Sequence, residues 1–230
     1  VLVCLLAGVL LGTTRAYSHG QDIRNPSVDL SVLVTGAGNR VIAAQAKAAA
    51  AQLQIDALAG SDVSPQVALD RAKARQLESA AGLTTVRGPA LRVSLSDARR
   101  DAAGNYPEGV DPDDLVVHQQ DVQSVVNAMW AGGAEAMMIM DQRVVTTSAV
   151  RCIGNTLLLQ GRAYSPPFVI TALGDSAKMA SALDREPGVA LFQTYVQKYQ
   201  LGFEIDRVND VTFTAYGGLI RMTAAHQEKK

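Results

Sequence analysis

Hydrophobic positions along the chain change their spacing twice, and each change marks a different kind of segment. Residues 1–12 read VLVCLLAGVLLG, an uninterrupted apolar run. A membrane-spanning helix needs about 20 such residues, and the chain starts without a methionine. The run is therefore expected to be the outer part of a transmembrane anchor over residues 1–16, truncated at its N-terminus. A cleaved secretory signal is the alternative, although Thr14-Arg15-Ala16 makes a poor small-residue cleavage site; a buried helix is a third. Arg15 and Arg24, following the run, hint at a cytoplasmic stalk by the positive-inside rule.

From Leu30 the apolar residues step by four and three: Leu30, Val34, Ala37, Val41, Ala44, Ala48, Ala51, Ile55 and Leu58. This a/d pattern predicts a helical, coiled-coil-like stalk over residues 28–82. Alanine at its middle positions favours helix but buries little area, so any homodimer through the stalk would be close and weak. Gly36 and Gly38 place the helix start anywhere up to Asn39, a possible cap, and Gly60 marks its end. Ser64-Pro65 opens a second helix running to about Ala81. Folding back of that helix on the first, or on the following domain, is the competing arrangement.

Residues 83–217 alternate between periods of two and of three to four. Leu91, Val93 and Leu95 lie on one face of a strand. Residues 97–114 are loop-like, and Leu115-Val116-Val117 suggests an edge strand. Val122, Val125, Val126 and Met129 line one face of a helix that closes at Gly132-Gly133. Ala136–Met140 reads as a central strand. Ala149–Ile153 and Thr156–Leu159 form a hairpin about Gly154-Asn155. Phe168–Leu173 is a strand entered through Pro166-Pro167, Asp175 caps a helix, and Pro187 begins a second piece. Two strands, Gly202–Val208 and Val211–Tyr216, close the domain, and residues 218–230 form a tail. This order predicts an α+β fold, a ferredoxin-like two-layer α/β sandwich with helices on one face.

Composition narrows the function classes. With 21 basic and 22 acidic residues and a net charge of −1, the chain has no electrostatic footprint for nucleic acid. Cys4 and Cys152 lie in separate segments, and His19, His118 and His226 are scattered, so no disulfide, metal site or cofactor is expected. Cys152 reads as a small buried hydrophobe in a strand, and His118 has no nucleophile tied to it by spacing. Asp97, Asp101, Glu108, Asp111, Asp113 and Asp114 form an acidic loop without calcium-loop spacing, interrupted by Arg99 and Arg100. Asn127 and Asn155 are read as structural hydrogen bonders. Gly36-Ala37-Gly38 lacks the strand and lysine of a phosphate loop. Arg143, Arg151 and Arg162 cluster around the hairpin and are candidates to grip a small anion. Tyr164, Pro166, Pro167 and Phe168 are a candidate interaction surface, being rigid and apolar.

The segments VVNAMWAGGAEAM from Val125, QRVVTTSAVRCIGNTLLL from Gln142 and SPPFVITALGD from Ser165 resemble the bacterial domain-of-unknown-function family 881, essentially over residues 83–217. The resemblance implies a single-pass cell-membrane protein with a coiled-coil stretch and an extracytoplasmic α/β domain, encoded near genes of cell division and envelope growth. It implies no enzymatic activity. That sidedness opposes the hint from Arg15 and Arg24, and is preferred to it. The expectation is a non-catalytic, membrane-anchored scaffold or interaction module whose partners are other envelope or division proteins. The alternative is an extracytoplasmic sensor for a small anionic ligand.

Overall fold

The structure, a computed structural model, describes residues 26–58, 64–100, 106, 109–153 and 156–218. The apolar run at residues 1–16, the Gly154-Asn155 turn, Asp101, Glu108 and most of the tail lie outside these residues. Among the described residues no helix is long and apolar enough to cross a membrane. The chain divides into two compact units after Arg40.

Helix α1 spans Pro26–Leu58 without a break, so Gly36 and Gly38 lie within it and Asn39 is not its cap. Two glycines at about 1 kcal/mol each do not outweigh the alanines and long side chains around them. The side chains of Leu30 and Val34 lie outside the described set. Helix α2 is Pro65–Glu78, with Pro65 in the first turn, where a missing N–H costs nothing. It buries no side chain.

Strand β1 is Val86–Ser96. A short 3-10 turn, Pro112–Leu115, follows, opened by Asp111, whose carboxylate accepts from the Asp113 N–H. The edge strand expected at Leu115–Val117 is absent. Leu115 and Val117 are buried instead as plugs, tied to the exit of β1. Ala98 N–H donates to Leu115 O at 2.9 Å, and Val117 N–H donates to the Asp97 carboxylate at 2.9 Å.

Helix α3 is Gln119–Ala131, opened by a bond from the His118 N–H to the Asp121 carboxylate at 2.8 Å. Its buried face is Val122, Val125, Val126, Ala128 and Met129, the spacing that the sequence shows. Strand β2 is Ala136–Ile139 and β3 is Gln142–Val144, turned through Met140 at φ 55°. Strands β4 (Val150–Ile153), β5 (Thr156–Leu159) and β6 (Arg162–Tyr164) form a separate three-stranded antiparallel sheet. After a cis Pro166-Pro167 bond come β7 (Phe168–Leu173), α4 (Ser176–Arg185), α5 (Pro187–Tyr199) and β8 (Gly202–Phe213). The two closing strands expected from sequence are one. Asn209-Asp210 stays in the strand, with Asp210 bonded to Arg87 across the ladder.

The main sheet has the order β3-β2-β7-β1-β8, every neighbouring pair antiparallel. Strands β1 and β2 are both antiparallel to β7, hence parallel to each other, and α3 is their crossover. Strands β7 and β8 are likewise parallel, joined through α4 and α5. The β1–β8 register shifts between Gly88 and Ala90, at Pro89, which lacks the N–H a regular ladder needs.

Helices cover one face of the sheet. Leu91, Val93, Leu95, Met137, Phe168, Ile170 and Ala172 pack there with Met129, Met179, Leu183 and Phe192. Burial of each large side chain contributes about 1.5–3 kcal/mol. A smaller cluster of Ala90, Ala136, Leu173 and Phe213 fills part of the opposite face.

Gly132 lets α3 approach α4 closely. A Cβ there would stand 2.7 Å from Met179 Cα and 3.2 Å from Lys178 O, both backbone atoms unable to swing away. Gly132→Ala is expected to destabilise the domain by about 1–3 kcal/mol, read as a lower urea midpoint with unchanged slope.

Candidate functional site

A strand alternates its side chains, so three residues in β3 are enough to set Arg143 apart from its neighbours. Arg143 pairs in register with Met138, which pairs with Thr171, which pairs with Arg92. The row runs across the sheet face opposite the helices. Arg143 is only 6% exposed. Its Nη1 donates to Thr214 O at a long 3.4 Å, its guanidinium lies 6.0 Å from the Phe213 ring centre, and its Nε–H has no partner.

Ion pairs among the described residues join Arg87 to Asp210, Arg162 to Asp141 and Lys178 to Asp175. Arg143 has no such partner. Burial accordingly lowers its pKa from the usual arginine value.

A cavity of about 450 Å³ opens beside it, lined also by Gly82, Gln123, Val126, Asn127, Trp130 and Glu135. Gly82, at φ +76°, packs against the guanidinium: a Cβ there would stand 2.8 Å from Val145 Cγ1 and in contact with Arg143 Nε and Nη2 at 3.8 and 3.9 Å. Asn127 is exposed and accepts from Gln123 Nε2 at 2.8 Å. Nothing in local sequence marks Gly82 or Trp130 as parts of this site, since both reach it through tertiary packing.

The three arginines do not converge on one point. Arg162 is held by Asp141 at 2.7 Å and reaches Gln45 at 3.5 Å. It shares a cavity of about 370 Å³ with Arg143. Arg151 is exposed and lines a different cavity, of about 530 Å³, with Leu158 and Tyr216.

The apolar surface expected at Tyr164–Phe168 needs correction. Phe168 is wholly buried in the core, because β7 turns it toward the helices. Tyr164 is half-buried and its hydroxyl donates to Asp141; Pro166 is half-buried and Pro167 exposed.

Cys152, expected buried, is exposed, and its Sγ accepts from the Gln119 N–H at 3.1 Å. The ring of His118 meets Asp113 O at 2.8 Å. Asp114, from the acidic loop, accepts from the Tyr199 hydroxyl at 2.8 Å. Among the described residues no three His, Cys, Asp or Glu side chains are grouped to hold a metal.

Comparison with known proteins gives a consistent picture. The sequence model of a bacterial protein family of unknown function, DUF881, matches residues 73–226. The UPF0749 protein Rv1823 of Mycobacterium tuberculosis is 28% identical over 132 residues, which are 56% of this chain and 43% of that protein. The UPF0749 protein YlxW of Bacillus subtilis is 29% identical over 108 residues, 47% of this chain and 45% of that protein. The UPF0749 protein Rv1825 of Mycobacterium tuberculosis is 28% identical over 192 residues, 80% of this chain and 61% of that protein. The chain thus spans less than two thirds of each of these relatives. A crystal structure of an uncharacterised conserved protein from Mycobacterium tuberculosis has a similar fold, with a TM-score of 0.50 and 22% identity, covering 68% of this chain and 99% of that one.

The Asp141–Tyr164–Arg162 group sets a pH dependence. Burial, then the hydrogen bond to Asp141, pushes the Tyr164 pKa up to about 12. For Asp141, burial acts upward, but hydrogen bonds from Tyr164 and Gln142 and the charge of Arg162 hold it below the usual carboxylate range. A raised tyrosine pKa means that its contribution is complete below pH ~10, the unfolded value, and is lost as pH rises toward 12. The Asp141 contribution is present above the ordinary carboxylate range and fades as pH falls through its lowered value. In an absorbance titration, one of the six tyrosines should ionise near pH 12, and Tyr164→Phe should remove that step.

Proposed function

This chain belongs to the bacterial protein family of unknown function DUF881, and on that premise we propose that it is a non-catalytic, membrane-anchored scaffold of the cell envelope. In this reading residues 1–16 anchor it, the helical arm joins two copies of the chain, and the extracytoplasmic α/β domain meets proteins of division or wall growth. The division and wall-growth assignment comes from the family resemblance.

The observation that carries the reading is the exposure of large apolar side chains along the arm. Leu53, Leu58, Leu69 and Leu77 are between 59% and 78% exposed. Helix α2 buries none of its side chains. In α1, Val41 and Ala48 of the stripe are half-buried, whereas Ala44, Ala51, Ile55 and Leu58 are exposed. Apolar stripes on helices this long are ordinarily covered, and a second copy of the same arm offers the matching surface. Covering even half of the area of each leucine would contribute on the order of 1 kcal/mol per side chain.

We also read the domain as a ferredoxin-like sandwich. The order β8-β1-β7-β2 with two interleaved crossovers supports this, β3 being an addition at the edge.

Sedimentation of the full chain in neutral detergent should show a dimer. The double variant Leu69→Glu with Leu77→Glu should sediment as a monomer with the thermal melting of the α/β domain unchanged. A monomeric unsubstituted chain would sink the self-association reading. Crosslinking in cells should capture division or wall-synthesis proteins with the full chain and lose them when it is cut after Gly82. Capture that survives the cut would remove the domain from the proposal.

A further inference from the structure

We propose that the contact between α1 and the β5–β6 turn is autoinhibitory: the α/β domain, docked on its own arm, covers part of the stripe through which two arms pair. The inference rests on the self-association reading and supplies its regulation.

Two uses compete for one helix face. The apolar stripe of α1 passes through Val41, Ala44, Ala48, Ala51, Ile55 and Leu58. Val41 and Ala48 are half-buried, as is Gln45 between them, and the three stand at i, i+4 and i+7 on one side of the helix. The domain is what they lie against. A Cβ on Gly161 would meet Val41 Cγ1 and Cγ2 at 3.2 Å each, and Arg162 Nη2 donates to Gln45 Oε1 at 3.5 Å. Val41 and Ala48 are also core positions of the four-and-three pattern, and packed helices need their axes about 8–10 Å apart. With a turn of the domain resting on Val41, a second helix has no room at that level. Pairing along the whole stripe therefore requires the arm to leave the domain.

The turn is shaped for this close approach. Its two central residues both have positive φ, Gln160 at 52° and Gly161 at 80°. Such a turn favours glycine, and here the missing Cβ also makes the space that Val41 enters. Gln160 Nε2 donates to Arg143 O at 2.8 Å, which ties the turn to the main sheet.

The contact is shallow, as a releasable one must be. On one side of α1 a cavity of about 530 Å³ separates Ala44 and Ala48 from Ala149 and Leu158. On the other, a cavity of about 370 Å³ separates Ala46 and Ala49 from Gln142 and Gln160. Atoms that border such gaps lose the dispersion contacts of a close-packed interface. The Val41–Gly161 contact and the long Gln45–Arg162 hydrogen bond are left to hold the arm, so a second arm can compete for it.

A disulfide tests the exclusion directly. A Cβ on Gly161 would lie 3.7 Å from Val41 Cβ, within the spacing of bridged cysteines. The full chain carrying Val41→Cys and Gly161→Cys, with Cys4→Ser and Cys152→Ser, is oxidised with diamide or reduced with dithiothreitol. Its dimerisation is then measured by sedimentation equilibrium in neutral detergent. The expected result is a bridge within one chain and a dimer about tenfold weaker or worse in the oxidised form than in the reduced form, because locking removes the pairing-competent state.

Gly161→Asn acts in the opposite direction. Asparagine tolerates positive φ, and its side chain meets Val41, so the arm is pushed off and the dimer should tighten about threefold or more. If the cysteine variant does not fold by circular dichroism, Gly161→Asn decides alone, and an unchanged or weaker dimer overturns the proposal. It is overturned as well if the cysteines fail to join, if they join only between chains, or if the oxidised and reduced forms dimerise equally. A dimer indifferent to locking strikes this inference and leaves self-association standing. Absence of any dimer, in the reduced form and in Gly161→Asn alike, strikes the self-association reading and this inference with it.

Discussion

A strand buried on both faces must find hydrogen-bond partners along both edges, since no water reaches it to take their place. Strand β7 is that strand here: five of its six residues are buried. Its edges are taken by β1 and β2, both antiparallel. The chain must therefore lay down β1, leave a gap of one strand, and place β2 beyond it before β7 is made. Helix α3 spans the gap, and its apolar stripe closes over the face that β7 completes. Once Phe168, Ile170 and Ala172 are seated, the opposite side of the same strand, with Thr171 and Leu173, fixes where Met138 and Arg143 stand. The candidate site is thus a consequence of β7 pairing, two strands removed.

Patterns with enough repeats were legible. Leu91, Val93 and Leu95 repeat three times at period two, and Val122, Val125, Val126 and Met129 cover a helix face; both recur as buried sets. Strands β3 and β6 are three residues each, too short to show a period. Each follows a turn with a non-glycine residue at positive φ, Met140 at 55° and Gln160 at 52°, and neither is a residue that signals such a turn. Leu115–Val117 shows the opposite failure. Its apolar run reads as a strand, but the side chains serve as plugs and the Val117 N–H is taken by Asp97, a residue 20 positions away. Asn209-Asp210 carries turn composition, yet Arg87 across the ladder holds Asp210 in the strand.

The arginines were harder to read, because proximity along a hairpin is not proximity in space. Arg143 belongs to the five-stranded sheet, whereas Arg151 and Arg162 belong to the three-stranded one. Arg162 finds a carboxylate from the β2–β3 turn, and Arg151 stays in solvent. Which arginine would be buried depended on Gly82 and Thr214, each about 60 to 70 residues from Arg143 in sequence, and no local pattern carries that information.

Arg143 and Arg162 are a useful contrast in how a protein handles a cation. Arg162 is partly exposed and Asp141 faces it at 2.7 Å, which neutralises its charge, although its Nε–H, like that of Arg143, has no partner. Arg143 has neither form of relief in full. The Phe213 ring at 6.0 Å is at the outer limit of a useful cation–π contact, and the Thr214 carbonyl at 3.4 Å makes a weak hydrogen bond. Together they account for Nη1 and one face of the guanidinium. What distinguishes Arg143 is therefore its lack of a carboxylate partner rather than its unbonded Nε–H, which Arg162 shares. Gly82 stands against the Nε–H edge of Arg143, and glycine is needed there, because its φ is +76° and a Cβ would meet Val145 Cγ1 at 2.8 Å.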